Sequence, residues 1–257
     1  MKSADKEILY PYLLEDKPRF LLGWVFSALF RRAKVDENAQ EGLKEIRKEG
    51  TVVYATKYRG HLDYLLYHYN LRRRGLPYPK IAFDLNMSLL LPVTRFFKVL
   101  FSQLSCFYRS GKFPSPYQTG FYGKALQDGT PSLISLIDPK RFISRFIRAE
   151  KDHLQFLLET QRNLDHPIFI VPQLILYDTS VEKDYETLTD ILFGYRDYPS
   201  VIRKILMFAK HRGEAFIDFG QPLDLKAYLE SQPADRPLYA MVMEIRDALI
   251  ESIDSRK

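Results

Sequence analysis

Short runs rich in β-branched and aromatic residues recur along this chain with helix-patterned stretches between them, and that alternation limits the fold more than any other feature. Thr51-Val-Val-Tyr-Ala-Thr56 is short, uncharged and β-branched, the pattern of a buried strand. Further strand-like runs are Lys80 to Phe83, Ser132 to Ile137, Ile168 to Val171, Leu174 to Tyr177 and Ala215 to Phe219. Ahead of the first, Asn38 to Glu49 carries Ala39, Leu43 and Ile46 at helical spacing, and Gly50 follows where a helix C-terminus favours glycine. Leu62 to Leu71, Ile143 to Gln161 and Ser200 to His211 also read as helices. The expectation is an α/β domain over residues 38–257, with a mixed, mostly parallel sheet flanked by helices. Residues 1–37 read as an appended N-terminal amphipathic helical segment.

Several classes of chemistry are excluded by what is missing. The single cysteine, Cys106, has no partner for an internal disulfide, and no Cys/His cluster has zinc-ligand spacing. A reducing compartment and a metal-free fold are expected. Met1 to Asp16 holds Asp5, Glu7, Glu15 and Asp16 and lacks the apolar region of a secretory signal. There is no phosphate-loop Gly-Lys-Ser/Thr, no G-x-S-x-G elbow and no H-E-x-x-H. Gly120 and Gly123 are only a fragment of a dinucleotide pattern and are expected to be a turn. Lys and Arg number 38 against 32 Asp and Glu, a net charge of +6 that suits an anionic partner. Arg72-Arg-Arg74 beside Tyr67, Tyr69 and Tyr78 forms a basic aromatic string, but no nucleic-acid motif accompanies it and no nucleic acid is expected as a partner.

The aromatic share is 14%, with 17 Tyr and 18 Phe, and two apolar stretches that carry Phe stand out. Phe20 to Phe30 is eleven residues without a charge and is followed at once by Arg31, Arg32 and Lys34. That layout suits a helix whose apolar body sits in a lipid interface while cations meet phosphates; packing on the main domain suits it equally. The run is too short to span a bilayer, which takes about 18 or more residues. After Pro92, Val93, Phe96, Phe97, Leu100, Phe101 and Leu104 follow helical spacing, with Arg95, Lys98, Ser102 and Gln103 elsewhere on the wheel. Here burial against the sheet is the expected reading and lipid contact the alternative.

The densest polar cluster is Lys57-Tyr-Arg-Gly-His-Leu-Asp-Tyr64, directly after the first strand and at the start of a helix. Anionic ligands and catalytic groups gather at the carboxyl ends of strands and the helix N-termini that follow. His61 can take a hydroxyl proton near neutral pH, Asp63 can orient its ring, and Arg59 can hold a phosphate. Alternatively His61 and Asp63 serve only the helix N-terminus. Residues two apart on a helix point to nearly opposite sides, so the pair cooperates directly only where this segment is a turn or extended.

Tyr58-Arg-Gly-His-Leu-Asp-Tyr-Leu-Leu66 resembles the first motif of the bacterial membrane-bound glycerol-3-phosphate acyltransferases, within the glycerolipid acyltransferase superfamily. That motif is usually His-Arg-Ser-His-Met-Asp-Tyr-Leu-Leu. Phe107-Tyr-Arg109 is similar to the end of the second motif, Phe-Ile-Arg. Leu136-Ile-Asp-Pro-Lys-Arg141 lies on the third, Phe-Val-Glu-Gly-Gly-Arg, which in the family contacts the acceptor phosphate. Ile170-Val-Pro-Gln-Leu-Ile-Leu-Tyr177 resembles the fourth, a strand carrying Ile-Pro-Val-Tyr-Ile. Phe219-Gly-Gln-Pro-Leu223 is similar to the Phe-Gly-Glu-Pro that closes the domain. The five segments keep the family's order from about residue 50 to 230.

Two departures stand out. The motif's core is a His, four residues, then an Asp; Tyr58 occupies the place of that His, Asp63 that of the Asp, and His61 that of a second, non-catalytic His. A phenol with an ordinary pKa near 10 is a poor base at pH 7. In the third motif Pro139-Lys140 replaces Gly-Gly. The resemblance implies an acyltransferase of phospholipid synthesis that moves a fatty acyl group from acyl-CoA or acyl carrier protein to glycerol 3-phosphate or a related lipid precursor. It implies no cofactor and a peripheral or monotopic place at the cytoplasmic face of the cell membrane. The expected machinery is His61, Asp63 and Tyr58 for catalysis and Arg59, Arg109, Lys140 and Arg141 for phosphate. The alternative is a catalytically impaired domain of the same fold that binds lipid, acyl carrier or a partner protein.

Overall fold

A computed structural model describes residues 8–14, 30–58, 60–88, 91–137, 152–177 and 215–256. Its strands are β1 (Lys34–Val35), β2 (Thr51–Tyr58), β3 (Ile81–Ala82), β4 (Ser132–Ile137), β5 (Ile168–Tyr177), β6 (Ala215–Phe219) and β7 (Leu223–Asp224). The helices, numbered in chain order, are α1 (Asn38–Glu49), α2 (His61–Arg73), α3 (Val93–Ser110), α4 (Phe121–Gln127), α5 (His153–Gln161), α6 (Leu225–Glu230) and α7 (Leu238–Asp254). The strands form one mixed sheet in the order β1-β6-β5-β2-β4-β3, with β7 also pairing β5. The β2–β4, β2–β5, β3–β4 and β1–β6 pairs are parallel; β5 runs antiparallel to β6 and β7.

Central position explains the composition of β2. Val52, Val53, Tyr54 and Ala55 are wholly buried, as a strand paired on both sides and covered on both faces must be. Its alternate residues feed two cores. Val52 and Tyr54 pack with Leu43 of α1 and Tyr64, Leu66 and Leu71 of α2. Val53 and Ala55 pack with Leu126 of α4, Leu157 of α5, Leu225 of α6 and Ile245 of α7. The layers are therefore helix, sheet, helix. Tyr54 is so enclosed that its phenol is pushed far above the ordinary range, burial outweighing the Arg47 charge, and its hydroxyl donates to the Pro77 carbonyl.

The runs Ile168 to Val171 and Leu174 to Tyr177 were expected as separate strands, because Pro172 lacks the N–H of a ladder residue. They form one strand. The Pro172 carbonyl accepts from Gly220 N at 2.8 Å, at the break between β6 and β7, where no ladder acceptor awaits the missing N–H. A Cβ on Gly220 would lie 2.7 Å from Pro172 Cγ and 2.8 Å from Ser252 Oγ. The fourth and the closing family-like segments thus meet, and the close approach explains the glycine. Gly120 sits at φ 75 before α4, the turn that was expected.

Residues 8–14 cover the β3 edge: Leu13 bridges Ile81, and Ala82 N donates to Tyr12 O at 3.2 Å. The expected helices over 20–29 and 200–211, and the first part of that over 143–161, lie outside the described residues. Among the described residues no helix is long and apolar enough to cross a membrane.

A second expectation is overturned. The stripe of α3 predicted to pack on the sheet faces outward: Val99 is the only residue of the helix described as buried, while Phe97 and Phe101 are 47% and 66% exposed. Ser102 Oγ accepts from Leu9 N at 3.1 Å, and Gln103 Nε2 donates to Leu9 O at 2.6 Å. Helical period fixes which residues share a face, not which face docks; here hydrogen bonds from the polar face hold the helix to the domain.

Candidate active site

The candidate site is built on the step from β2 into α2. Tyr58 ends the strand with its ring 40% exposed. Thr56 Oγ1 lies 3.1 Å from the Tyr58 carbonyl and 3.3 Å from that of Ile134, so one hydroxyl ties the strand end to β4. Lys57 Nζ stands 2.5 Å from Asp254 Oδ2, at the C-terminus of α7, and 5.6 Å from the Tyr58 ring centroid. The junction is thereby fixed on both faces of the sheet.

Helix α2 begins at His61, with Gly60 extended at the N-cap and no side-chain cap. Asp63, the third helical residue, is half-buried and turned back over that cap: a Cβ on Gly60 would stand 2.2 Å from its Oδ2. Its negative charge in the first turn suits the helix dipole. The family motif carries Ser at this position; Gly60 leaves the space that the carboxylate fills. Positions 61 and 63 both lie in the helix rather than in a turn, about 200° apart around its axis. The anchor behind them is Tyr64, whose hydroxyl donates to Lys80 O at 3.3 Å and whose burial pushes the phenol well above its ordinary range.

Register brings the family-like segments to one edge. Tyr58 on β2 pairs with Ile137 on β4, and Thr56 with Gln173 on β5. All three strands run parallel, so their carboxyl ends lie side by side, the edge where α/β sheets bind ligands. Lys140 and Arg141 follow Ile137 by three and four residues, but they, Arg59 and the side chain of His61 lie outside the described residues. Arg109 is exposed in the last turn of α3; among the described residues no hydrogen bond or ion pair joins it to Tyr58 or Asp63. No cluster of three or more His, Cys, Asp or Glu side chains among the described residues is placed to hold a metal ion.

Two polar features escaped the sequence reading. Gln173 lies in the middle of the sheet, 2% exposed, and among the described residues neither its Nε2 nor its Oε1 has a hydrogen-bond partner. The family's fourth motif has Val at this place, and that comparison was the one available signal. The second feature is a second His–Asp pair. Asp84, just beyond β3, has φ 57. Its Oδ2 lies 2.7 Å from His153 Nε2 and accepts from Tyr117 OH at 2.5 Å, while Asp84 N donates to Tyr122 OH at 2.9 Å. His153 Nδ1 faces Ser135 O at 3.3 Å. Both ring nitrogens of His153 thus face protein oxygens rather than an open cleft. The cluster clamps β3, β4 and α5 together. No spacing rule finds it, because its members come from residues 84, 117, 122 and 153.

Together these features define a three-layer α/β domain with its candidate site at the carboxyl edge of parallel strands. No protein-family profile matches the chain. Known proteins narrow the class. The chain is 27% identical to a glycerol-3-phosphate acyltransferase of Actinobacillus succinogenes over 81% of its length, and 28% identical to one of Aeromonas hydrophila over the same share. It is 27% identical to the human mitochondrial glycerol-3-phosphate acyltransferase 1 over 98% of its length. The chain spans about a quarter of the two bacterial relatives, 26% of each, and 32% of the human one. Its similarity is thus to the glycerol-3-phosphate acyltransferases, bacterial and human alike.

Proposed function

We propose that this domain transfers a fatty acyl group from an acyl thioester, acyl-CoA or acyl carrier protein, to the hydroxyl of glycerol 3-phosphate or a related lipid precursor. The observation that carries the reading is the register: Tyr58 pairs with Ile137 and Thr56 with Gln173, so three family-like segments share one ligand-binding edge. In this reaction the acceptor hydroxyl attacks the thioester carbonyl. His61 takes the hydroxyl proton and returns it to the departing thiolate as the carbon–sulfur bond breaks. Asp63 holds negative charge over the first turn of α2, which favours a cationic imidazole in that turn through the field. Arg59, Arg109, Lys140 and Arg141 neutralise phosphate. The site works at a membrane surface, on the cytoplasmic face, as a peripheral or monotopic protein without a cofactor.

A second reading, a domain that keeps the fold and binds lipid, acyl carrier or a partner protein without turnover, is favoured by Tyr58 in the place of the motif His. Thioester consumption with glycerol 3-phosphate separates the two. The transferase reading expects wild-type turnover that His61→Ala lowers by about 100- to 10,000-fold. An inert wild type that gains activity on Tyr58→His would establish the binding reading instead.

A further inference from the structure

The surface that the proposed function leaves unexplained is the outward face of α3. Val93, Phe97, Leu100 and Phe101 stand 53%, 47%, 38% and 66% exposed, continued by Tyr108 and, beyond the helix, Phe113. The rings are ordered among themselves, with Phe97 stacked on Phe101 at 6.4 Å and Phe107 on Phe113 at 4.9 Å. A soluble surface rarely carries so continuous an apolar patch without a partner. The helix is also inside out: its buried side includes Ser102 and Gln103, bonded to the Leu9 backbone, and Arg95, whose guanidinium is lowered from its ordinary range by burial.

Charge selects the partner. Residues 85–127 hold five basic residues, Arg95, Lys98, Arg109, Lys112 and Lys124, and no Asp or Glu. A second copy of the chain docked on this face would bring like charges together. An anionic lipid surface meets both properties at once, taking aromatic and aliphatic side chains at the acyl boundary and lysines at the headgroups.

We infer that the exposed face of α3, with Phe113, is a docking surface for an anionic membrane. The inference deepens the membrane part of the proposed function and rests on it only for placing the protein at a bilayer. It differs from the expectation for residues 20–30, since it assigns membrane contact to a helix within the domain that also carries Arg109. Both Lys98 and Lys112 lie outside the proposed catalytic and phosphate-binding residues and are free to be changed without touching them.

The test is flotation of the full chain with phosphatidylcholine vesicles that contain or lack phosphatidylglycerol, read without turnover. An inactive protein that binds is then told apart from an active one that does not. Wild type is expected to float with the anionic vesicles and to detach as salt rises. The double variant Phe97→Ser/Phe101→Ser is expected to lose binding by about tenfold or more, and Lys98→Glu/Lys112→Glu by about tenfold on anionic vesicles only. Thermal midpoints equal to wild type show that neither loss is misfolding, as exposed positions allow. As a second readout, Phe101→Trp in a Trp24→Phe background should show a blue-shifted emission on vesicle binding. The inference is overturned by a wild type that does not float, by equal binding to neutral and anionic vesicles, or by an α3 double variant that floats like wild type while Trp24→Ser/Phe26→Ser does not. A lipid-free dimer that Phe101→Ser splits also overturns it, because the occupant would then be a second copy.

Discussion

Two histidine–aspartate combinations lie in this domain, and they behave as opposites. Asp63 sits at an accessible helix start, two residues from His61, with a half-buried carboxylate folded over Gly60. Asp84 and His153 are 69 residues apart in sequence and 2.7 Å apart in space, with side chains only 13% and 5% exposed. The first arrangement stands where β2 ends at the exposed Tyr58 and α2 begins, at an edge a substrate can reach. The second spends every ring nitrogen and a strained backbone on internal bonds. Proximity of a His and an Asp is thus no mark of catalysis: the close pair is the buried one, with both ring nitrogens turned to protein oxygens.

The contrast breaks most visibly on the buried side. Removing one partner of a buried pair leaves an uncompensated polar group, a loss of about 3–5 kcal/mol, and His153→Ala should lower the stability measured by urea unfolding by that amount. Asp84→Gly is expected to cost less, because glycine relieves the left-handed backbone at φ 57, a strain of about 1–3 kcal/mol, while still orphaning His153. Tyr58→His, at an exposed strand end, should move stability by no more than about 0.5 kcal/mol while changing turnover. If Tyr58→His and His153→Ala unfold alike, the division between an open site and a closed clamp fails.

Gln173 is a sharper probe of the same division, since it is buried like the clamp yet has no partner among the described residues. An unsatisfied buried amide costs about 1–3 kcal/mol, so Gln173→Leu, of similar volume, should raise the urea midpoint by a corresponding amount. A falling midpoint would mean that an enclosed water satisfies the amide, and Gln173 would then belong with the clamp.

The helices and strands with a single clear period were legible from the residues. Asn38–Glu49, Ser132–Ile137 and Ala215–Phe219 were read to the residue, because each pairs an unmixed pattern with a glycine, proline or charge at its end. What stayed illegible depends on contacts between distant residues. The unbroken β5 depends on Gly220 meeting Pro172; the outward face of α3 depends on Leu9; the clamp draws on four separate segments. At the candidate site, the chain position of Tyr58 and Asp63 after β2 was readable, and so was the order of the family-like segments. The carboxylate folded over Gly60 was not, since only the missing side chain at residue 60 makes room for it. Two-residue β1, Lys34–Val35, lies in the segment read as helical and appended, because its place in the sheet comes from pairing with the distant β6, and two-residue β7 was not read.

Alkali tests the clamp through Tyr122, whose phenol is pushed well above its ordinary range by burial first and by the Asp84 charge second. A raised phenol pKa stabilises the folded state fully below the unfolded value near 10, and that stability is lost as pH climbs beyond it, because the unfolded chain ionises first. The slope is about 1.4 kcal/mol per pH unit for each such group. Tyr122→Phe should therefore flatten the alkaline limb of the stability curve by about that slope, leaving the contributions of Tyr54 and Tyr64. An unchanged limb would show that Tyr122 meets solvent and that the clamp is open on that side.

The smallest effect lies at the open site itself. Lys57 and Asp254 form an ion pair at 2.5 Å with side chains 19% and 37% exposed, joining the residue before Tyr58 to the end of α7. Pairs this accessible contribute about 0.2–1 kcal/mol and are screened by salt. Lys57→Met should thus cost less than about 1 kcal/mol in dilute buffer, and the difference from wild type should vanish in concentrated salt. Salt should leave the His153→Ala deficit almost untouched, because water and ions do not reach the clamp. A Lys57→Met deficit that persists in salt would place the strand end among the closed elements, and the open site would then begin only at Tyr58.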